Sequence, residues 1–241
     1  MISRKIIKKC NICKSKDSFM PIDPGYIANL KNKGFPYPVE SFETLNYKEY
    51  LCKSCGANDR DRLIALYLQT RSHSNNMKIL DFAASPSLQS VLKSIDGSSY
   101  RSADLYMDGV DDKVDITNMK LYNENSFDLF VCSHLLEHVD DIKALKELYR
   151  ITKRGGRGII LTPIIDNDDV FDEDMSVTDA DERCRRFAQD DHVRLYSKTV
   201  LLERLSESGF KVEQLRVWNF GIWNFIRYGI KLRSVLYVVE K

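Results

Sequence analysis

The sharpest change of pattern runs along FDLFVCSHLLEHV (127–139), where an apolar run broken only by Asp128 gives way to a polar, helix-starting turn. Phe127 to Cys132 has the make-up of a strand buried in a parallel sheet. VDDIKALKELYRITKRGG (139–156) follows with helical spacing. Asp140 or Asp141 is its expected cap, Ile142, Leu145, Leu148 and Tyr149 its apolar face, and Gly155-Gly156 its stop after a basic last turn. RGIILTP (157–163) is the next strand, so the three segments spell a βαβ unit with a right-handed crossover. Ser133 and His134 fall at the carboxyl end of the central strand, where open α/β sheets bind ligands.

The same periodicities place other elements around this unit. Residues 77–82 (MKILDF) predict a first strand, and SLQSVLKSI (87–95) a helix with Leu88, Val91, Leu92 and Ile95 on one side. Tyr100 to Asp104 predicts a second strand ending in an acid; Val114-Asp115-Ile116 is a short third strand or a loop carrying another. Ser197 caps a helix over TVLLERLSES, and Gly209 ends it. After Asn58, DRDRLIALYLQT is amphipathic, with Leu63, Leu66 and Tyr67 on one side. Arg60 and Arg62 at its start are expected to pair with Asp59 and Asp61; the alternative is contact with an anionic group. Residues 72–76 are polar and suit a boundary between a segment 1–76 and a domain 77–241.

Cysteine spacing adds chemistry to the first segment. Cys10-x-x-Cys13 and Cys52-x-x-Cys55 are two knuckles, each aiming two sulfurs at one ion, the pattern of a structural zinc ribbon with four thiolates and no open position. A redox pair is the lesser alternative, since neither motif opens a helix after a strand. Between them Pro21, Pro24, Gly25, Gly34, Pro36 and Pro38 predict a loop-rich stretch whose aromatics, Phe35, Tyr37 and Phe42, pack the ribbon onto the main domain. Cys132 is expected to be a buried core thiol.

Charge narrows the partners. Thirty-six basic against 35 acidic residues leave a net charge of +1, so no whole-molecule field favours nucleic acid or a membrane surface. No apolar run reaches membrane-spanning length, and the basic start (Arg4, Lys5, Lys8, Lys9) is not followed by a signal-peptide core. A reducing, cytoplasmic setting is the simplest account of cysteines used as metal ligands and buried thiols.

The order Asp81-Phe82-Ala83, then Ala103-Asp104-Leu105, then Asp115-Ile116-Thr117, then FDLFVCSHLLEHV and GGRGIILTP resembles class I S-adenosylmethionine-dependent methyltransferases, and most of all their type-11 group. The resemblance covers residues 77 to about 163, and residues 195–217 fit it as a late helix and strand. It implies an α/β, Rossmann-like fold with a seven-stranded sheet whose last strand, here within 234–241, is antiparallel. It also implies S-adenosylmethionine as cofactor beside the structural zinc. Asp81 and the loop Ala83-Ala84-Ser85-Pro86 would lie at the cofactor's methionine portion, and Asp104, with Leu105 beside it, would accept from the ribose hydroxyls. Asp115 and Ile116 would flank the adenine, and Ser133 and His134 would lie next to the sulfonium and the substrate. One departure is plain: Ala-Ala-Ser-Pro stands where a glycine-rich loop is expected, which reads as a variant cofactor loop built from small residues.

The remaining stretch is the substrate half. Residues 164–174 (IIDNDDVFDED) are acidic and aperiodic, a solvated lid within an insertion over about 164–194; a hard-cation site is the lesser alternative. His192 follows, either a general base toward a hydroxyl or a side chain pinning the loop to the next helix. His134 is the other candidate base, and His138 is expected to be structural. Residues 218–230 gather both tryptophans with further aromatics, to cover the sheet edge or to stack on a ligand. The implied function is methyl transfer to a small molecule or a sugar of a glycan, at oxygen. A zinc-ribbon RNA methyltransferase and a non-catalytic cofactor-binding scaffold stand as alternatives.

Overall fold

The structure is a computed structural model that describes residues 7–16 and 19–241, so Arg4 and Lys5 of the basic start lie outside it. Seven strands form its main sheet: β1 (Lys78–Phe82), β2 (Ser99–Asp104), β3 (Asp112–Lys113), β4 (Phe127–Ser133), β5 (Thr152–Leu161), β6 (Lys211–Leu215) and β7 (Leu236–Glu240). Their order is β6-β7-β5-β4-β1-β2-β3. The pairs from β5 to β3 are parallel, and β7 is antiparallel to both neighbours, as the resemblance implies. Chain order reverses between β1 and β4, so a cleft opens beyond their carboxyl ends. β4 and β5 lie close because Gly158 has no side chain. A Cβ there would come within 2.0 Å of the Phe130 ring, so this strand glycine is required by its neighbour.

The helices refine the sequence picture. In chain order they are α1 (Pro24–Asn32), α2 (Asp59–Thr70), α3 (Pro86–Lys93), α4 (Asp141–Ile151), α5 (Ala180–Phe187), α6 (Lys198–Glu207), α7 (Val217–Phe220) and α8 (Ile222–Tyr228). α1 was not expected, because proline and glycine read as loop punctuation. Here Pro24 and Gly25 occupy the first turn and Asp23 accepts the Gly25 N–H, an arrangement that starts a helix. Asp140 caps α4, but the buried face is Ala144, Leu145, Leu148 and Ile151, while Ile142 is exposed. The helix ends at Ile151, and the glycine pair expected to stop it lies inside β5.

A second apolar cluster joins the two ends of the chain. Leu30, Phe35, Val39 and Phe42 pack with Ile165, Val170, Phe187 and Leu195 of the insertion. The insertion is also tied by charge. Arg186 pairs with Asp172 and Asp174, and Glu173 pairs with Arg194 and Arg204. Asp172, Glu173 and Asp174, half of the acids in that run, are therefore matched by arginines, and Asp172–Glu173 pairs as a short strand with Arg194–Leu195.

Arg62 is the strongest fastening of the first segment. Its side chain is fully buried and donates to the carbonyls of Glu49, Tyr50, Ala57, Tyr228 and Gly229, while the guanidinium lies 4.1 Å from the Phe19 ring centroid. Neither Arg60 nor Arg62 forms an ion pair with Asp59 or Asp61 among the described residues, contrary to the first expectation. Asp61 instead completes the capping box with Asn58 and accepts from Ser87, and Asp59 accepts the Asn46 N–H.

Candidate active site

A cavity of about 490 Å3 opens beyond the carboxyl ends of β1, β2 and β3. Phe82, Leu105, Val114, Ile116, Leu135 and Val139 supply apolar walls, and Asp104, Asp115, Thr117 and His138 supply polar ones. Four residues singled out in the sequence, Asp104, Leu105, Asp115 and Ile116, thus share one cavity. Asp104 Oδ1 accepts the N–H groups of Tyr106 and Met107, both at 2.7 Å, which fixes the turn after β2. No hydrogen bond falls on its Oδ2 among the described residues, leaving one acceptor for a ligand. Asp115 Oδ1 accepts from the Thr117 N–H and hydroxyl, both at 2.8 Å. Tyr106, Val114, Thr117 and Leu135 were not foreseen, because they sit in loops without periodicity.

The loop after β1 carries the expected substitution for glycine. Ala83 adopts φ +49°, a left-handed conformation costing about 1–2 kcal/mol in a residue with a Cβ. Its N–H donates to the Ala103 carbonyl at 3.2 Å. Ser85 caps α3 by accepting the Leu88 N–H, and Ala84 is buried. None of these three lines the cavity; they form the turn that follows Phe82.

Asp81 lies beneath that turn, 1% exposed, where its Oδ2 accepts from the Tyr100 hydroxyl at 3.0 Å. Burial, opposed by that bond and reinforced by the nearby Asp61 charge, pushes its carboxyl up to about 7. The folded chain then holds a proton that the unfolded chain releases from about pH 4 upward. The stability this contributes is full below about pH 4 and lost as pH rises to about 7. Asp81→Asn keeps an acceptor for Tyr100 without the titration. Its advantage in thermal unfolding over the wild type is expected to grow across that window to roughly 1–3 kcal/mol at pH 8. An offset independent of pH would contradict this.

A buried polar cluster stands beside the cavity. His134 ends the run after β4 with φ +56°, and a 3-10 turn, Leu136–His138, follows. Glu137 is fully buried; its Oε2 accepts from the Thr162 hydroxyl at 2.9 Å, and its Oε1 lies 3.1 Å from His134 Nδ1. Burial, with the Arg60 charge, pushes the His134 imidazolium down to about 4, so the ring is neutral at pH 7. His192, 1% exposed, has Nδ1 3.0 Å from the Phe187 carbonyl and Nε2 4.0 Å from Glu137 Oε1. Burial likewise lowers it. His138 packs edge-to-face on His192, with ring centroids 4.7 Å apart. The two candidate bases, 58 residues apart in the chain, therefore meet at one carboxylate that sequence reasoning did not single out. Ser133 precedes them at the tip of β4.

On the far side of His192 lies a second cavity of about 280 Å3. Tyr26, Thr44, Tyr50 and Arg60 of the first segment, Thr162 and Pro163 beyond β5, and Gln189 of the insertion line it. Arg60 reaches the Tyr50 hydroxyl at 3.5 Å, and its Nε is buried without a hydrogen-bond partner.

Residues 14–51 separate the two cysteine knuckles, yet their sulfurs converge. Cys10 Sγ lies 3.8 Å from Cys55 Sγ and Cys13 Sγ 3.7 Å from Cys52 Sγ, with all four within 4.8 Å of one another. A tetrahedral zinc thiolate with bonds of about 2.3 Å has sulfur–sulfur edges of about 3.8 Å, so this set fits such an ion. Phe19 and Ala57 pack around it.

Comparison with known proteins adds the following. Residues 94–160 match the methyltransferase-domain family. An uncharacterized protein of Methanocaldococcus jannaschii is 37% identical over 54 residues, 22% of this chain and 23% of that one, so the match spans under a quarter of the relative. A SAM-dependent methyltransferase from Archaeoglobus fulgidus superposes with a TM-score of 0.48 at 15% identity, covering 75% of this chain and 94% of the other. Phosphoethanolamine N-methyltransferase 2 of Haemonchus contortus, solved with S-adenosyl-L-methionine, gives 0.49 at 14% identity, covering 78% of this chain and 53% of that one. From just after α3 almost to the end of β5, the sequence of this chain is thus a match to the methyltransferase-domain family.

Proposed function

We propose that the chain is an S-adenosylmethionine-dependent methyltransferase acting on an oxygen of a small molecule or a glycan sugar. The observation that carries this reading is the cavity of about 490 Å3 at the strand tips, with Asp104 and Asp115 on its wall. Asp104 Oδ2 would hold the ribose hydroxyls, a carboxylate being an acceptor only. Leu105, Val114 and Ile116 would enclose the adenine, with Asp115 at its edge. The Ala83–Ser85 turn, above Asp81, would close over the methionine end, and Ser133 and His134 would face the transferred group. When bound, S-adenosylmethionine supplies a methyl group already activated on sulfur. The chain's own task is then alignment and exclusion of water.

The second cavity is the place for the acceptor. Its walls combine apolar side chains (Ile22, Phe42, Leu45, Ile164) with hydroxyl, amide and guanidinium groups, a mixture that suits a hydroxylated ring, and Arg60 Nε is a donor in want of an acceptor. His134 and His192 are the imidazoles to which a hydroxyl could pass its proton. The four cysteines would hold a structural zinc that fastens the segment lining this cavity.

Calorimetry with S-adenosylhomocysteine tests the cofactor reading directly: one molecule is expected to bind per chain, and the absence of binding would remove it. For the ribbon, blocking the thiols with a mercurial reagent should release one zinc per chain and lower the unfolding temperature. Protein that folds with zinc-free, reactive cysteines would refute the structural role.

A further inference from the structure

Between the two cavities stands a cluster that the cofactor reading leaves unused. His138 lines the larger cavity and His192 the smaller, and Glu137 lies buried between them. One carboxylate oxygen of Glu137 and one ring nitrogen from each histidine all lie within 4.8 Å of one another. Two of these atoms are orphans. Glu137 Oε1 and His192 Nε2 are buried and have no hydrogen-bond partner, although they face each other across 4.0 Å. His134 Nδ1 is 3.1 Å from Oε1 but without the alignment of a hydrogen bond.

The surrounding bonds decide what these orphans are. His192 Nδ1 is 3.0 Å from the Phe187 carbonyl, which can only accept, so Nδ1 carries the proton and Nε2 presents a lone pair. Glu137 Oε2 is held by the Thr162 hydroxyl, which turns Oε1 toward the histidines. His138 Nδ1 lies 3.4 Å from Asp191 Oδ2, leaving its other nitrogen for a ligand. Glu137 Oε1 and His192 Nε2 thus face each other in a buried pocket where the His134 ring nitrogen is the nearest possible donor to Oε1, and a cation between them would satisfy both. One imidazole fixed by a carbonyl, a second with a carboxylate 3.4 Å from its ring, and a carboxylate fixed by a hydroxyl resemble the supports that metal ligands ordinarily have.

We propose that Glu137, His138 and His192 form a second metal site, for a divalent first-row transition cation, separate from the four-cysteine cage. Two nitrogens and one oxygen suit manganese, iron, cobalt or zinc better than magnesium or calcium. Three protein ligands leave open positions, the mark of a site that also takes a substrate atom. Its place in the wall between the cavities deepens the function proposed above and rests on it: the cation would bind the acceptor's oxygen and lower the pKa of its hydroxyl. His192 then acts as ligand: the acidified hydroxyl gives its proton to solvent water in the cavity, and its oxygen bonds the methyl carbon as the carbon–sulfur bond of the sulfonium breaks, leaving the neutral thioether.

The test uses the full chain with its cysteine cage saturated with zinc. Titration with Mn2+, followed by loss of the free-ion signal in electron paramagnetic resonance, is expected to show one further ion per chain. His138→Gln, at a half-buried turn position, and Glu137→Gln are each expected to weaken Mn2+ binding at least tenfold. If Glu137→Gln does not fold, as judged by circular dichroism, His138→Gln decides alone. Wild-type protein that takes up no Mn2+, Co2+ or Zn2+ beyond the cage would overturn the site, as a bridging water in the gap would produce. Equal affinity in His138→Gln would overturn it too. Titrating the same samples with S-adenosylhomocysteine separates the two readings: cofactor binding without a second metal sinks the metal site alone, and no cofactor binding sinks the methyltransferase reading.

Discussion

Replacing Arg62 with methionine is expected to cost the fold about 3–5 kcal/mol, the scale of removing one member of a buried charged network. The carbonyls of Glu49, Tyr50 and Tyr228 would lose this donor at once, while those of Ala57 and Gly229 would keep only the Cys52 N–H and the Asn46 amide. Methionine would refill part of the volume over Phe19 but satisfy none of these acceptors. Lysine should rescue little, since its compact ammonium cannot span partners arranged around a planar fork. The charge matters as well. Asp59, Asp61 and, as thiolates, Cys10 and Cys52 supply negative charge that supports the Arg62 cation against its burial, so the variant should also hold zinc less firmly. Urea unfolding of the zinc-loaded chain measures the effect; a loss below about 1 kcal/mol would show the contacts to be dispensable.

Asp104→Ala is expected to weaken S-adenosylhomocysteine binding by roughly 10- to 100-fold, because hydrogen bonds to a charged group contribute about 1.5–3 kcal/mol. The complication lies in the turn after β2, whose N–H groups at Tyr106 and Met107 both rest on Asp104 Oδ1. Alanine removes the ligand's acceptor and the turn's anchor together. Asp104→Asn separates them: its amide oxygen can keep the turn, and its NH2 replaces an acceptor by a donor. An asparagine variant with an intact unfolding temperature and a reduced affinity would locate the loss at the ligand. Calorimetry showing equal affinity in all three proteins would remove Asp104 from the cofactor's ribose.

How much of this was readable beforehand follows from how local each signal is. The strands near the switch point announce themselves by apolar runs, and the acids at their tips by position. The antiparallel strand β7, one in from the sheet's edge, was reached through the family resemblance and not through its own pattern. α1 was hidden because Pro24 and Gly25 carry opposite meanings in a loop and in a first helical turn, and only the Asp23 cap distinguishes them. The buried face of α4 was displaced because Ile142 fits the period yet faces outward, while Ala144, too small to register, faces in. Glu137 could not be found by pattern. A lone glutamate beside two histidines looks like any polar turn until residue 192 arrives from the insertion. The pairing of Asp172, Asp174 and Glu173 with arginines was equally nonlocal, so the second half of an acidic run that looked solvated is neutralised.

The shared packing of Leu30, Phe35 and Phe42 with Ile165 and Phe187 has an evolutionary consequence. Tyr26, Tyr50 and Arg60 reach the smaller cavity from the cysteine-bearing end of the chain, whereas Asp104 and Ile116 reach the larger one from the sheet. On the proposed function, the acceptor's cavity would draw part of its wall from that end of the chain, and the methyl donor's cavity from the sheet. Divergence in the first sixty residues could move such a protein to a new acceptor while its cofactor machinery stays unaltered.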